Sequence, residues 1–319
     1  MKQEKMRNEI EIRTDLAVES TEQLEREAQE ISGVRIEREE REESRITITT
    51  VVIETEEGAT RIGKPVGNYI TIEAEGLREP EGDIMEKVAQ ELATQLLGLF
   101  RQVKNKQLKS MLVVGLGNRE ITADALGPKV SNYLYATNHL AEENEIGISC
   151  LAPGVMAQTG MEVFDIIKGV AGQTKPDLIL VVDALAARDT SRFNTTIQLA
   201  DTGISPGSGV GNHRMSLNEE SIGVPVFAIG VPTVVDAVTI VSDAMDRLLE
   251  ELAACKELKK VSETFFEFSP QEKFELVSEL LRPAMGRMYV TPKDVDETVR
   301  AFAHIISAGI EMAVAAYNR

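Results

Sequence analysis

Two uninterrupted apolar runs restrict what this chain can fold into. They are Met111-Leu112-Val113-Val114 and Leu178-Ile179-Leu180-Val181-Val182. Runs of this length, rich in Val and Ile and without polar alternation, read as strands buried on both faces. Such strands need helices above and below them, which points to an α/β sheet. Each run leads to an aspartate. The first passes through Gly115-Leu116-Gly117-Asn118 to Asp124, and the second ends on Asp183. In open α/β sheets, ligands and catalysis gather beyond the carboxyl ends of the strands. Two carboxylates delivered there can share one crevice, and a carboxylate pair can hydrolyse a peptide bond without Ser, Cys or metal.

Each aspartate also has a plain structural reading. Asp124 precedes Ala125-Leu126-Gly127-Pro128, where a helix N-cap followed by an early Pro would serve. Asp183 is a residue type common where a strand gives way to a loop. The pair changes the balance. Like charges at neighbouring strand ends repel unless one keeps its proton, and that cost usually has a functional reason.

The rest of the chain supports the sheet. Strands are expected at 111–114, 146–151, 177–182, 194–199 and 225–230, alternating with helices near 125–140, 158–170 and 236–254. This rhythm predicts a mostly parallel sheet with helices on both faces. Before it, residues 45–53 and 68–73 alternate and are β-branched, which predicts a small antiparallel β region over 45–75 with a turn at Glu56-Glu57-Gly58. Residues 83–103 carry a helical apolar face behind Asp83 as N-cap. Helices at about 270–282 and 294–317 close the chain. Residues 1–45 are dominated by charge and read as a solvated helix or arm. The α/β core then spans 105–255 and the helical C-terminal region 256–319.

Composition excludes several classes. A net charge of −18 opposes direct binding to nucleic acid. Only 4% of residues are aromatic and there is no Trp, so stacking platforms for bases are lacking. No run reaches the roughly 18 apolar residues of a membrane span, and the charged N-terminus lacks a signal-peptide core, so a cytoplasmic protein is expected. Cys150 and Cys255 imply no disulfide framework, and Cys150 reads as a small buried hydrophobe.

Gly115-Leu116-Gly117-Asn118 begins like a dinucleotide fingerprint, but Glu120 stands where its third glycine would be. The better reading is a tight turn that lets the backbone approach a ligand. By position, the N–H groups of Gly115 and Gly117 are candidates to face an oxyanion, with Asn118 and Arg188 as candidates to orient substrate. The Gly-rich loop 201–214 is long enough to be functional, and it contains His213. His139 and His304 fall in expected helices. There is no HExxH and no Cys/His cluster, so no metal and no cofactor are expected. Ser208 lacks the nucleophile-elbow context.

Several motifs together resemble the germination proteases of spore-forming bacteria. They are Arg13-Thr14-Asp15-Leu16-Ala17-Val18-Glu19, Val114-Gly115-Leu116-Gly117-Asn118, Asp124-Ala125-Leu126-Gly127-Pro128, Ala152-Pro153-Gly154-Val155-Met156-Ala157-Gln158-Thr159-Gly160, Asp183-Ala184-Leu185-Ala186-Ala187-Arg188, the loop 201–212 and Gly230-Val231-Pro232-Thr233-Val234-Val235-Asp236-Ala237. The resemblance implies an endopeptidase that starts the degradation of small acid-soluble spore proteins during germination. It implies a fold similar to the hydrogenase maturation proteases, a homotetramer, and action in the cytoplasm of the spore core. It also implies an aspartic-type mechanism on residues matching Asp124 and Asp183. Finally, it implies a zymogen that removes residues 1–15 as a propeptide by cleaving between Asp15 and Leu16, leaving 16–319 as a single peptidase domain. Thr14-Asp15-Leu16-Ala17-Val18-Glu19 would then be a tethered substrate, whose effective concentration lets even slow chemistry process it. Two other readings are open: a metal-guided maturation peptidase of the hydrogenase type, and a binding module without catalysis.

Overall fold

The computed structural model describes residues 14–26, 32–78, 82–103, 107–142, 145–207, 215–254, 268, 270–286 and 288–319. Of the expected propeptide, only Thr14 and Asp15 are among them. His213, Ser208 and Cys255 lie outside the described residues.

The elements run α1 (Ala17–Arg26), β1 (Val34–Arg41), β2 (Ile46–Ile53), α2 (Glu56–Ile62), β3 (Gly67–Ala74), α3 (Gly82–Gln102), β4 (Ser110–Gly115), α4 (Leu126–Tyr133), β5 (Gly147–Leu151), α5 (Met156–Thr159), α6 (Val163–Thr174), β6 (Leu178–Ala187), β7 (Thr196–Ala200), α7 (Glu219–Ile222), β8 (Val226–Asp236), α8 (Ala237–Ala254), α9 (Pro270–Met285), β9 (Tyr289–Val290) and α10 (Val295–Tyr317). Among the described residues, nine strands form one sheet in the order β1-β2-β3-β7-β8-β6-β4-β5, with β9 added to β8. The fold is α/β, as the apolar runs demand.

Strands β8, β6, β4 and β5 are parallel. Strands β1, β2, β3 and β7 extend the same sheet antiparallel. The antiparallel strands expected near the N-terminus are therefore a continuation of the main sheet. Strand β7 differs from the parallel rhythm expected of it. Between β6 and β7 lies only a 3-10 turn, Thr190–Arg192. A connection that short cannot carry the chain back to the far edge of the sheet, so β7 starts where β6 stops and runs the other way.

Other local expectations change as well. The turn at Glu56-Glu57-Gly58 is the start of α2. Thr55 caps that helix by accepting the Gly58 N–H at 3.1 Å, and Gly63 ends it at φ 74°. Within the charged stretch before residue 45, the described residues form α1 and the edge strand β1, whose exposed charges guard the edge of the sheet. The helix expected over 125–140 ends at Tyr133, leaving His139 in a turn. The one expected over 158–170 is two helices, α5 and α6.

Alternation along β4 and β6 sends side chains into two cores. Met111, Val113, Leu178, Leu180 and Val182 pack with α3, α4 and α10. Leu112, Val114, Ile179 and Val181 pack with Val163, Phe164, Ile167 and Ala171 of α6. Both faces are thus dry, which explains the lack of polar alternation in those runs. Helix α10 is long and apolar enough to cross a membrane, contrary to expectation, but 56% of its most apolar window is buried in this fold. Val299, Phe302, Ala303, Ile306 and Ile310 are each at most 1% exposed in the core shared with α3.

Candidate active site

Strand β4 stops at Gly115, whose last partner on β6 is Val182. Strand β6 does not stop there: it continues through Ala187, still paired with β8. Asp183 is therefore the first β6 residue past the end of β4, on the face that carries Ile179 and Val181. It is 8% exposed, and its Oδ1 accepts the Ala184 N–H at 2.9 Å.

Asp124 reaches the same place by another route. It ends the 3-10 turn Thr122–Asp124, and α4 starts two residues later without a side-chain cap. The N-cap reading is thereby excluded. The Asp124 carboxylate turns back across the loop instead, where Oδ2 accepts the Asn118 N–H at 2.8 Å. Gly117 makes this possible. Its φ is 112°, and a Cβ there would lie 2.0 Å from the Asp124 carbonyl oxygen.

Asp124 and Asp183 line one cavity of about 430 Å³, together with Asp15, Gly117 and Thr233. Gly115 is not in that lining. The first turn of α4 lies on it, so that a Cβ would meet the Gly127 carbonyl oxygen at 2.0 Å. Asn118 and Arg188 also stand outside the lining. The Asn118 side chain accepts the Gln158 Nε2–H at 2.6 Å and the Glu120 N–H at 3.0 Å, which braces the loop bearing Asp124. The Arg188 N–H is donated to Glu19 at 2.8 Å. Of the four candidates for oxyanion or substrate contact, Gly117 alone borders the cavity.

The segment 14–19 enters the interior beside the two aspartates. Leu16 and Ala17 are fully buried, and Leu16 packs with Leu185, Ala187 and Val235. The Asp15 N–H is donated to the Ala186 carbonyl, and the Asp15 carboxylate accepts the Ala186 N–H, each at 2.9 Å. Gln198 of β7 donates from Nε2 to the Asp15 carbonyl at 3.0 Å and accepts the Ala17 N–H through Oε1 at 2.7 Å.

Glu19, 4% exposed, anchors the segment. Its oxygens accept the N–H groups of Arg188 and Asp189 at 2.8 Å each, and the Thr14 hydroxyl bonds to it as well. Burial raises the Glu19 pKa above its ordinary 4.5, and those hydrogen bonds draw it partly back. Removing the carboxylate would orphan two buried donors. Glu19→Ala is expected to cost about 2–4 kcal/mol, measured by denaturant unfolding. A folded-state value raised above the unfolded one means that Glu19 stabilises most below pH 4.5 and loses that contribution as pH rises through the folded value. The Glu19→Ala deficit should accordingly be larger in acid than at neutral pH.

Three of these residues gave little sign in the sequence. Gln198 is the one polar residue between the buried Ile197 and Leu199, so alternation within β7 was its only signal. Thr233, 3% exposed with a buried hydroxyl that has no partner among the described residues, sits inside an apolar strand. Lys64, whose Nζ donates to the Thr14 carbonyl, follows the Gly63 cap of α2 and carried no signal. Cys150 is half-buried, and burial together with the Glu311 charge raises its pKa, away from the thiolate. Among the described residues no group of three or more His, Cys, Asp or Glu could hold a metal ion.

The family model for germination protease matches residues 10–266. A germination protease of Caldanaerobacter subterraneus is 48% identical over 311 residues, covering 95% of this chain and 94% of that one. That of Clostridium tetani is 44% identical over 312 residues, covering 95% of each. That of Bacillus velezensis is 42% identical over 350 residues, covering 96% and 94%. Among solved structures, the NiFe hydrogenase maturation protease HycI from Thermococcus kodakarensis aligns at a TM-score of 0.33 and 15% identity, over 69% of this chain and 98% of its own. The family model and the germination proteases that match over nearly the full length define a peptidase. The chain belongs to the germination protease family, and its role is proteolysis in spore germination.

Proposed function

We propose that the chain is an aspartic-type endopeptidase that begins the breakdown of small acid-soluble spore proteins, and that it matures by cutting itself between Asp15 and Leu16. One observation carries this reading: Asp124, Asp183 and Asp15 border a single cavity. Two carboxylates at one site favour sharing one proton. The ionised member takes a proton from water as the water oxygen attacks the scissile carbonyl carbon. The protonated member donates to the carbonyl oxygen; the first then passes its proton to the amine nitrogen as the C–N bond breaks, and the second recovers its proton as the carbonyl re-forms. The hydrolysis needs no cofactor. The resemblance of the motifs supplies the spore-protein substrate, the homotetramer and the cytoplasm of the spore core.

Purified full-length protein, held at mild acidity and then sequenced from its N-terminus, should begin at Leu16. The treated protein should then cleave a small acid-soluble spore protein. A new terminus elsewhere would refute the self-cleavage site, and inert spore protein would refute the substrate.

A further inference from the structure

Residues 14–16 lead into α1 beside the end of β6, with a bend at Asp15. Asp15 exchanges two hydrogen bonds with Ala186, one through its main chain and one through its carboxylate. Gln198 bonds the carbonyl of the Asp15–Leu16 peptide bond and the N–H of Ala17 beyond it. Gly230 pairs with Asp183 on one side and Gln198 on the other. Asp183 and Gln198 thus stand at one level on one face of the sheet, with Cα atoms roughly 10 Å apart, two strand spacings. Lys64 approaches from the turn after α2, its Nζ donating to the Thr14 carbonyl at 3.3 Å.

We infer that Lys64 and Gln198 form a substrate subsite for an acidic residue and the peptide bond that follows it, Lys64 reading the carboxylate and Gln198 holding the main chain. The inference rests on the peptidase reading above. Asp15, Lys64 and Gln198 line one small cavity of about 140 Å³. Burial lowers the Lys64 pKa, and the charges of Asp15 first and Glu19 second oppose that fall. Glu19 has its oxygens on Arg188, Asp189 and Thr14, and it stays with the chain whatever peptide is bound. The carboxylate at the Asp15 position is the one that varies between substrates. A cation there without it is left poorly compensated, so a peptide with Asn is rejected. Gln198 touches the carbonyl of the Asp15–Leu16 bond, and its N–H strengthens its hold as negative charge develops on that oxygen.

The test is the first-order rate at which full-length protein gains the Leu16 terminus. Asp15→Asn and Lys64→Met should each slow it by about tenfold or more, and the double variant should be no slower than the slower single. Lys64→Arg should retain most of the rate. Effects that multiply in the double variant would overturn the role of Lys64. Gln198→Leu and Gln198→Met should slow processing by about a hundredfold, and by the same factor whether the chain carries the native Asp15 or the Asp15→Asn change, because they loosen the main chain and not the charge. Wild-type rates in either Gln198 variant, with unchanged melting, would overturn the role of Gln198. A wild type that never cleaves would be a different result. It would sink the self-cleavage reading, and this inference with it.

Discussion

Asp183→Asn is expected to lower peptide-bond hydrolysis by about 10³–10⁴-fold, and Asp124→Asn by a similar factor, with little change in substrate affinity. Both replacements are gentle to the fold. An Asn oxygen at 183 can still accept the Ala184 N–H, and one at 124 can still accept the Asn118 N–H. What is lost is the ability to hold or release a proton at the cavity both residues line. Groups that act as a unit are non-additive, so the double variant should be about as slow as either single one. The measurement is kcat and KM on a peptide containing an acidic residue followed by Leu, beside thermal unfolding of each variant. More than a few per cent of wild-type kcat in either well-folded variant would place the chemistry on other groups. A drop carried by KM alone would make the residue a binding group.

The sequence made the pair visible because its strands are dry on both faces. An aspartate interrupting such a run cannot be explained by solvent, and Asp183 at 8% exposure shows how far it is from one. Asp124 was legible for a different reason, the glycines and the proline around it. What could not be read was the partner of each carboxylate. The Asn118 N–H belongs to a loop whose path depends on Gly117 adopting a φ of 112°. The depth of Leu16 was equally hidden. A charged N-terminal stretch reads as solvated, yet a few residues of it fill the space beside β6 because Glu19 finds two backbone donors there. Lys64 is brought to Thr14, and Gln198 to Asp15, across sequence separations of roughly 50 and 180 residues, the order at which no local pattern carries information. In the antiparallel half of the sheet, β2, β3 and β7 were legible as strands, while β1 was hidden in a charged stretch that reads as a solvated helix or arm. Its continuity with the parallel half was missed because β7 joins them, and a five-residue strand carries no sign of its direction.

Gly127→Ala should cost about 3 kcal/mol or more of stability and should abolish most of the activity as well, although residue 127 does not border the cavity. A Cβ at 127 would lie 2.3 Å from the Leu116 carbonyl oxygen, 2.5 Å from the Leu116 nitrogen and 2.5 Å from the Val182 carbonyl oxygen. All three are main-chain atoms, and two of them make the 2.8 Å bond that ties Leu116 to Val182. No side chain can move aside to relieve the contact. Either α4 lifts from the strand ends or that bond breaks. Asp124 stands three residues before Gly127, and its own carbonyl already crowds Gly117, so lifting α4 displaces the carboxylate from Asp183. The control is Gly169→Ala in α6, where a Cβ meets nothing within 4 Å. An alanine in that helix interior should instead stabilise by roughly 0.5–1 kcal/mol and leave kcat unchanged. If Gly127→Ala melted like the control and kept its kcat, the first turn of α4 would not be what sets the distance between the two aspartates. If it lost kcat at wild-type stability, the helix would have found room to lift, and the seating of Asp124 would depend on that helix more than the fold does.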